Sequence, residues 1–230
     1  GLDTIPAQGI ASIEVINNPS SQFDASGMAG VIVLAFVWRW IDASHPVDSP
    51  SLFSRIDARF GWPGLLAGAV LLAAGRSSRF GADHKLLAPW RGKPLVAHAV
   101  DAIAAAGLPP PIVVLGHDEA AVRTALAGHD VQFVTAPDWA EGMGRSLAAG
   151  IAAVPAAWDA ALICLGDMPA VEPALIAALA ATPGELVVPL WDGRRGHPVR
   201  WPRAAFTRLM ALTGDNGGKA AMATSPKERW

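Results

Sequence analysis

From residue 65 onward, short apolar runs alternate with segments of helical periodicity. The predicted strands are 65–74, 111–115, 131–134, 160–165, 185–190 and 197–201, and the predicted helices are 94–106, 118–126, 143–154, 172–181 and 202–212. Strands that are joined through helices pair in parallel, so this alternation predicts an α/β fold whose mostly parallel sheet is covered by helices on both faces. Ligands of such sheets bind at the carboxyl ends of the strands.

Local signals predict where several of these elements begin and end. Asp118 is predicted to cap the helix that follows it, because an aspartate side chain accepts hydrogen bonds from free helix N–H groups. Gly107 and Gly128 are predicted to follow helix ends, where glycine is favoured. Asp192-Gly193 is predicted to form the turn of a hairpin.

The first part of the chain lacks this alternation. Ile13 and Val15 flank Glu14, which indicates one short strand. Residues 37–64 show no pattern and are interpreted as a linker or a disordered junction. The apolar run at 30–38 is shorter than the roughly 20 residues that a membrane-spanning helix needs. The N-terminus also lacks the pattern of a secretory signal peptide.

Charge and cysteine content narrow the class of protein. The formal net charge of −2 gives no basic field for nucleic acid. The single cysteine, Cys164, excludes an intrachain disulfide and fits a reducing compartment. Since Cys164 lies inside a predicted strand, we interpret it as a small buried hydrophobic residue. We therefore expect a cytoplasmic protein with no nucleic-acid or membrane partner.

The loop after the first apolar run has features of a phosphate site. Its small residues, from Ala73 to Gly75, allow backbone N–H groups to approach an anion. Arg79 and Lys85 add cationic donors that can neutralise a triphosphate. The loop lacks both the Gly-Lys-Ser/Thr of a P-loop and the G-x-G-x-x-G of a dinucleotide fold. A solvated turn with surface charges is the alternative interpretation.

Asp167 follows directly on the apolar strand 160–165. It is therefore predicted at the carboxyl edge of the sheet, in the same crevice as the first loop. A carboxylate there is the oxygen ligand that Mg²⁺ uses together with substrate phosphates. The alternative is that Asp167 caps the helix beginning near Glu172 or stabilises the turn.

The motif LAAGRSSRFGADHKLLAPW, at residues 72–90, resembles the N-terminal signature of the molybdenum cofactor cytidylyltransferases, within the MobA-like NTP transferases. The similarity continues in order through APDWAEGMGRSLAAGI, ICLGDMPAV, GRRGHPVRW and LTGDNGGKAAM, and spans roughly residues 66–222. The resemblance implies a Rossmann-like three-layer sandwich. It also implies Mg²⁺-dependent transfer of CMP from CTP to the molybdenum cofactor (molybdopterin), with release of pyrophosphate.

The resemblance also implies roles for individual residues. The catalytic residues it implies are Lys85, Arg79 and Asp167, with Asp167 as the metal ligand for Mg²⁺. The nucleotide-binding residues it implies are Leu72, Ala73, Ala74, Gly75, Gly144 and Ser146, and the acceptor-binding residues are His197 and Asp215. Ala74 matches the cytidylyl form of the signature, because guanylyl relatives read L-A-G-G. The implied partners are CTP, the molybdenum cofactor, and a molybdoenzyme or its chaperone.

The chain departs from the family at both ends. Members continue into a last strand with an Asp-x-Asp-Thr-Pro segment, whereas residues 224–230 form a short tail, so we expect a C-terminally truncated fold. Lys219 replaces the usual arginine of G-D-x-G-A-R, which removes a bidentate phosphate donor. Residues 1–33 resemble a fragment of the plug domain of TonB-dependent receptors. The predicted organisation is therefore a plug-like fragment at 1–33, a junction at 34–64, a nucleotidyltransferase domain at 65–223 and a tail at 224–230.

Two alternatives to the cytidylyltransferase stay open. One is an inactive chimeric or truncated fragment. The other is a nucleotidyltransferase that acts on another phosphorylated acceptor, such as a sugar phosphate, or that uses GTP as donor.

Overall fold

The structure, a computed structural model, describes residues 12–16, 66–76, 84–182, 186–191 and 194–214. The strands are β1 (Ser12–Ile16), β2 (Ala67–Leu72), β3 (Pro89–Trp90), β4 (Lys93–Pro94), β5 (Ile112–Leu115), β6 (Gln132–Thr135), β7 (Ala160–Leu165), β8 (Leu186–Trp191), β9 (Arg194–Arg195) and β10 (Val199–Pro202). The α-helices in this part of the chain are α1 (Leu95–Ala105), α2 (Glu119–Ala125), α3 (Met143–Ala152), α4 (Pro173–Ala181) and α5 (Phe206–Met210). Short 3₁₀ helices span Lys85–Leu87, Trp139–Glu141 and Arg203–Ala205.

The main sheet has the strand order β1-β8-β10-β7-β2-β5-β6, with β9 paired to β8. Strands β7, β2, β5 and β6 are parallel, because a helix returns the chain between successive strands. Strands β10, β8 and β1 pair antiparallel beside them. The predicted α/β fold with a parallel core is confirmed, and the sheet is mixed because β10 pairs antiparallel with both β7 and β8, and β1 pairs antiparallel with β8.

Two apolar cores lie on opposite faces of the sheet, as a three-layer sandwich requires. One core packs α1, α2 and α4 on the sheet through Val100, Val122 and Leu179, among others. The other packs α3 and α5 through residues that include Ile151 and Leu209. Burial of this apolar surface on both faces is the main term that stabilises the sheet.

Strand β1 shows that residues near the N-terminus contribute to the sheet. Ser12 pairs with Leu190 and Ile16 pairs with Leu186, which places β1 antiparallel at the edge beside β8. The short strand expected around Ile13 and Val15 is therefore confirmed. The boundaries predicted at residues 33 and 64, the tail and the Asp192-Gly193 turn lie outside the described residues, so they stay predictions.

Two local predictions were wrong in detail. Asp118 does occupy the N-cap position of α2, but its backbone is left-handed (φ 52°, ψ 39°) and its side chain makes no capping hydrogen bond. The helix predicted over 202–212 is shorter: residue 202 ends β10, Arg203–Ala205 is a 3₁₀ turn, and only Phe206–Met210 is α-helical. No helix in the described part of the chain is both long and apolar enough to cross a membrane.

A polar network ties α1 to its neighbours through Asp101. Its carboxylate accepts a hydrogen bond from Lys93 Nζ at 2.7 Å and lies 3.2 Å from His129 Nε2. Burial alone would raise the pKa of Asp101, but the hydrogen bond and charge of Lys93, helped by His129, hold the pKa below its usual value of 3.8. The network therefore stabilises the folded state only while Asp101 is ionised.

We expect Asp101→Asn to lower the free energy of unfolding by less than about 1 kcal/mol at pH 7, because the pair is partly exposed and screened by solvent. A folded-state pKa below the unfolded value gives stability that is present above pH 3.8 and lost as the pH falls through the folded pKa. Urea unfolding at pH 7 and at acid pH checks this, and the difference between wild type and variant should narrow toward acid pH. A difference in free energy of unfolding that widens toward acid pH would contradict the lowered pKa of Asp101.

Candidate active site

Three strands end level with one another at one edge of the sheet. Leu72, the last residue of β2, pairs with Leu165 of β7 and with Val114 of β5. The segments that follow these strands therefore leave the sheet side by side. They are the first loop at 73–76, the turn at 166–167 and the turn at 116–117. This is the edge at which ligands of parallel sheets bind.

Backbone hydrogen bonds fix the first loop to both neighbours. Gly166 N–H donates to the Leu72 carbonyl at 3.1 Å, and His117 N–H donates to the Ala74 carbonyl at 3.1 Å. Ala73 N–H donates to the Val114 carbonyl at 2.9 Å, so the bond to β5 occupies this N–H group. The loop is thus a rigid continuation of the sheet as far as Ala74, and it becomes exposed at Gly75.

Lys85 and Asp167 form an ion pair above this edge. Lys85 Nζ lies 2.7 Å from Asp167 Oδ2, and the side chains keep 24% and 39% of their accessible surface. Lys85 begins a 3₁₀ helix whose next residue, Leu86, is buried in the core, so the lysine is held by packing. The pair is therefore accessible to a ligand yet fixed in place. Asp167 accepts a hydrogen bond from Lys85, and none of the described helices uses Asp167 as its cap.

Gly166 sets the close approach of the Asp167 turn to the first loop. A Cβ atom at Gly166 would lie 3.2 Å from the Leu72 carbonyl oxygen and 3.3 Å from Leu86 Cδ2. Such distances are tighter than ordinary van der Waals contact, so glycine is the residue that fits. The absence of a side chain at Gly166 lets the turn that carries Asp167 lie against the end of β2.

The other predicted nucleotide contacts lie at the start of α3. Ser146 is buried, and Gly142 just before the helix has φ 127°, a value that favours glycine. A Cβ atom at Gly144 would lie 3.0 Å from the Gly214 carbonyl oxygen and 3.1 Å from the Thr213 backbone. The start of α3 therefore packs against the segment that leads into the predicted acceptor residue Asp215, which lies outside the described residues, as does Arg79.

The predicted acceptor residue His197 precedes Pro198 through a cis peptide bond. Both residues line a small apolar cavity, together with Ala99, Ala102, Ile103, Cys164, Leu165, Met168, Val171 and Ile176. Leu165 and Met168 flank Asp167 in sequence, so His197 lies on the β7 side of the same edge. The structure thus brings Lys85, Asp167 and the first loop together, and it places His197 in a cavity that Leu165 and Met168 also line.

Cys164 behaves as the sequence indicated, since it is buried within β7. Burial raises the pKa of its thiol to about 12. A thiol with that pKa is protonated at neutral pH, and the thiolate is the reactive form. The reaction that we propose below has no role for Cys164.

We therefore expect Cys164 in the folded protein to resist a thiol reagent such as dithionitrobenzoate at pH 8, and to react fully once urea unfolds the chain. Thionitrobenzoate release, followed by absorbance, measures both states. Rapid stoichiometric labelling of the folded protein would show that the thiol is accessible and would contradict the burial assigned to it.

Sequence reasoning missed an aromatic group beside the first loop. Arg76 Cζ lies 5.4 Å from the Trp139 ring centroid, and His117 lies 5.3 Å from the same ring. The His84 ring in turn stacks 5.6 Å from His117. A signal was present in the sequence, because Trp139 and His84 stand inside two of the motifs. Their proximity depends on the turn after β5, whose direction the sequence does not fix.

The described side chains can hold a divalent cation only together with a bound ligand that supplies further oxygen atoms. Among the described residues, no group of three or more His, Cys, Asp and Glu side chains is placed to hold a metal ion. Mg²⁺ needs only one or two carboxylates when substrate phosphates and water complete its shell. The partly exposed carboxylate of Asp167 meets that requirement, beside an exposed loop that can receive phosphates.

Comparison with known proteins agrees with this geometry. Residues 69–229 match the model of the MobA-like NTP transferase domain. Nicotine blue oxidoreductase of Paenarthrobacter nicotinovorans is 30% identical over 171 residues, which are 68% of this chain and 81% of that protein. Rv0371c of Mycobacterium tuberculosis, in a crystal structure with manganese, is 28% identical with a TM-score of 0.58 and covers 71% of this chain and 85% of its own.

A nucleotidyl transferase from Methanothermobacter thermautotroptrophicus has the same fold. It is 30% identical to this chain with a TM-score of 0.55, over 67% of this chain and 79% of its own. The family match covers well over half of the present chain and includes each strand that ends at the site. The chain therefore belongs to the MobA-like NTP transferases, a family of nucleotidyltransferases.

Proposed function

We propose that the protein transfers CMP from CTP to a terminal phosphate of the molybdenum cofactor and releases pyrophosphate. The observation that carries the proposal is the Lys85–Asp167 pair, 2.7 Å apart and solvent-accessible, directly beside the first loop. A cation and a carboxylate at the carboxyl edge of a parallel sheet provide both signs of charge that a metal-bound triphosphate needs.

The reaction is a substitution at the α-phosphorus of CTP. An oxygen of the acceptor phosphate forms a bond to this phosphorus, and the bond from the phosphorus to the bridging oxygen of the β-phosphate breaks. Pyrophosphate leaves with that oxygen. The Lys85 ammonium donates hydrogen bonds to the phosphate oxygens on which charge develops, and it lowers the barrier by electrostatic stabilisation. Arg79 is proposed to act on the same phosphates.

Asp167 is proposed to hold Mg²⁺ together with the phosphates of CTP. A bound divalent cation supplies neutralisation of phosphate charge and fixes the relative positions of the reactants. The manganese in the related Rv0371c structure supports a divalent cation in this fold. Within the present chain, Asp167 follows the tightly packed Gly166 and Lys85 precedes the buried Leu86, with 2.7 Å between the two charged groups.

The choice of CTP rests on the first loop. Ala74 is buried, and a Cβ atom built on Gly116 would lie 2.8 Å from the Ala74 Cβ atom. The methyl group therefore packs against the turn after β5 instead of pointing into open space. We propose that Ala74 selects the donor through the shape of the loop, with Gly75 and the start of α3 at Gly144 and Ser146 completing the nucleotide site.

The acceptor side is proposed at His197 and Asp215, the residues that the sequence motifs indicate. His197 lies by the β7 edge, and Gly144 packs against the segment that precedes Asp215. The molybdenum cofactor is the acceptor that the sequence motifs favour, and a molybdoenzyme or its chaperone is the proposed recipient of the product.

A second candidate comes from the oxidoreductase relative at 30% identity. Its name shows that a chain of similar sequence can be an oxidoreductase, so the same cleft could serve a redox reaction. The Lys85–Asp167 pair favours phosphoryl chemistry, because both groups suit phosphates and a metal.

The test is an assay of the purified protein with molybdenum cofactor, Mg²⁺ and either CTP or GTP, in which pyrophosphate release is measured. Release that requires CTP, cofactor and Mg²⁺ together is the expected result. Release with GTP and not with CTP would change the assigned donor to GTP. Release with a sugar phosphate in place of the cofactor would change the assigned acceptor. Absence of turnover in every mixture, or oxidation of NADH or NADPH in a parallel assay, would overturn the proposal.

A further inference from the structure

Four side chains form a continuous stack beside the first loop, and we call them the ring stack. The exposed Arg76 lies over Trp139 with 5.4 Å from Cζ to the ring centroid. The indole is tilted by 43° against His117 at 5.3 Å, and His117 is nearly parallel to His84, at 15° and 5.6 Å. The ring stack thus joins the first loop, the 3₁₀ helix at Trp139–Glu141, and the turn after β5.

The backbone of Gly116 supports the indole of Trp139. A Cβ atom at Gly116 would lie 2.6 Å from Trp139 Cγ and 2.8 Å from the Ala74 carbonyl oxygen. The indole therefore lies directly on the turn, beside the end of the first loop. The whole Trp139 side chain is half-buried, whereas Arg76 above it is exposed. A half-buried ring with the Gly116 backbone against it and the exposed Arg76 over it is suited to receive a planar ligand.

The ring stack ends next to the phosphate-binding pair. His84 is 8% exposed, and neither of its ring nitrogens has a hydrogen-bond partner among the described residues. It immediately precedes Lys85, whose Nζ contacts Asp167. Two ring contacts therefore connect the lysine segment to Trp139. A nucleoside triphosphate has the same two ends, with its phosphates on one side and a planar base on the other.

We propose that Trp139 and Arg76 form a platform on which the nucleobase of the substrate stacks, an inference that rests on the proposed function. An aromatic ring stacks on a base, and an arginine guanidinium can cover the opposite face. Because every base has a π face, such a platform contributes affinity without choosing between bases. It therefore acts on CTP and GTP alike, and discrimination between them stays with the backbone of the first loop.

The test compares ligands that have a base with one that lacks it. Binding of CTP, GTP and inorganic tripolyphosphate is measured by titration calorimetry in the presence of Mg²⁺, for wild type, Trp139→Leu and Trp139→Phe. Loss of one stacked base weakens binding by about five- to 150-fold. We expect a loss in this range for both nucleotides with Trp139→Leu, a smaller loss with Trp139→Phe, and tripolyphosphate affinity within about twofold of wild type.

Trp90 provides a matched control. It is also half-buried, with Arg91 Cζ 4.4 Å from its ring and His98 4.8 Å away, but its ring contacts lie in the β3–β4 hairpin and α1. Trp90→Leu should leave all three affinities unchanged. Thermal melting of each variant establishes that it is folded. Trp139→Met replaces Trp139→Leu if the melting temperature of the leucine variant is well below that of wild type.

The outcomes separate the two proposals. Unchanged nucleotide affinity in a folded Trp139→Leu or Trp139→Met protein overturns the platform and leaves the nucleotidyltransferase proposal intact. An equal loss of tripolyphosphate affinity also overturns the platform, because Trp139 would then support the phosphate loop. Failure of wild type to bind either nucleotide overturns the proposed function itself, whatever the variants do.

Discussion

Asp167→Asn should lower pyrophosphate release from CTP by at least about a hundredfold while the protein stays folded. The amide keeps the shape of the carboxylate but removes the charge that is proposed to hold Mg²⁺ on the substrate phosphates. It also leaves the Lys85 ammonium, now 2.7 Å from Asp167 Oδ2, without its anionic partner. Loss of one preorganised group that stabilises charge developing in the transition state costs about 10²–10³ in turnover, as for a single hydrogen-bond donor.

Lys85→Met should produce a loss of the same order, because the methionine keeps the apolar stem and removes the donor. The matched control is the pair Lys93–Asp101, which has the same 2.7 Å separation but lies on α1 and β4. Asp101→Asn should leave turnover unchanged. Initial rates across a range of Mg²⁺ concentrations measure all three variants, with circular dichroism to establish folding. Full Mg²⁺-dependent release by Asp167→Asn would show that the metal assignment is wrong.

The sequence is sufficient to predict the elements that carry the site. The apolar runs at 65–74 and 160–165 correspond to β2 and β7, which pair in register from Ala67–Ala160 to Leu72–Leu165. Once two parallel strands end level, the residues that follow them must meet. The proximity of the Asp167 turn to the first loop therefore follows from the pairing of β2 with β7, and the carboxyl edge where they meet is the one at which ligands bind.

Other parts of the site depend on features that periodicity does not encode. Asp118 has the residue type of a helix cap, but its backbone is left-handed, and its carboxylate lies 3.4 Å from His117 Nε2 and makes no capping hydrogen bond. The ring stack depends on the turn after β5, which brings His117 to Trp139 from a distant part of the sequence. Local propensity cannot report such contacts, because they form only after the strands have paired.

Periodicity also does not encode the position of β10 in the antiparallel half of the sheet. Strand β10 lies between β7 and β8, and Arg200 pairs with Leu162 on one side and Val187 on the other. The sequence indicated a returning strand over 197–201, but not its insertion beside β7. The choice of neighbour is decided by packing on both faces, where Trp201 and Val199 enter the core beneath α3 and α5.

Gly68→Ala should lower the free energy of unfolding by about 2 kcal/mol, a large effect for a single methyl group. A Cβ atom at Gly68 would lie 2.0 to 2.2 Å from three carbon atoms of the Trp158 ring. In a strand, alanine normally makes the folded protein more stable than glycine does by roughly 0.5–1 kcal/mol, because glycine loses more backbone entropy on folding. Overpacking of a core costs about 1–3 kcal/mol and sometimes more, so the clash decides the sign.

Trp158 cannot simply move aside. Its side chain is buried in the core. Its backbone N–H donates to the Pro155 carbonyl at 3.1 Å, and its backbone carbonyl accepts a hydrogen bond from Arg203 Nε at 2.6 Å. Relief of the clash therefore requires either a displaced indole or a displaced β2 strand. Urea denaturation measures the cost, and Gly196→Ala is the control, because the nearest atoms to its Cβ are at 3.7 Å. That variant should stay within about 0.5 kcal/mol of wild type.

A double-mutant cycle then identifies the cause. Trp158→Leu alone removes buried aromatic surface and should destabilise the fold by itself. If the ring is what the new methyl group strikes, adding Gly68→Ala to Trp158→Leu should cost much less than adding it to wild type, a coupling of about 1–3 kcal/mol. Strictly additive losses would mean that the methyl group acts on the strand backbone instead. The contact between Gly68 and Trp158 would then not be the reason for glycine at this position of β2.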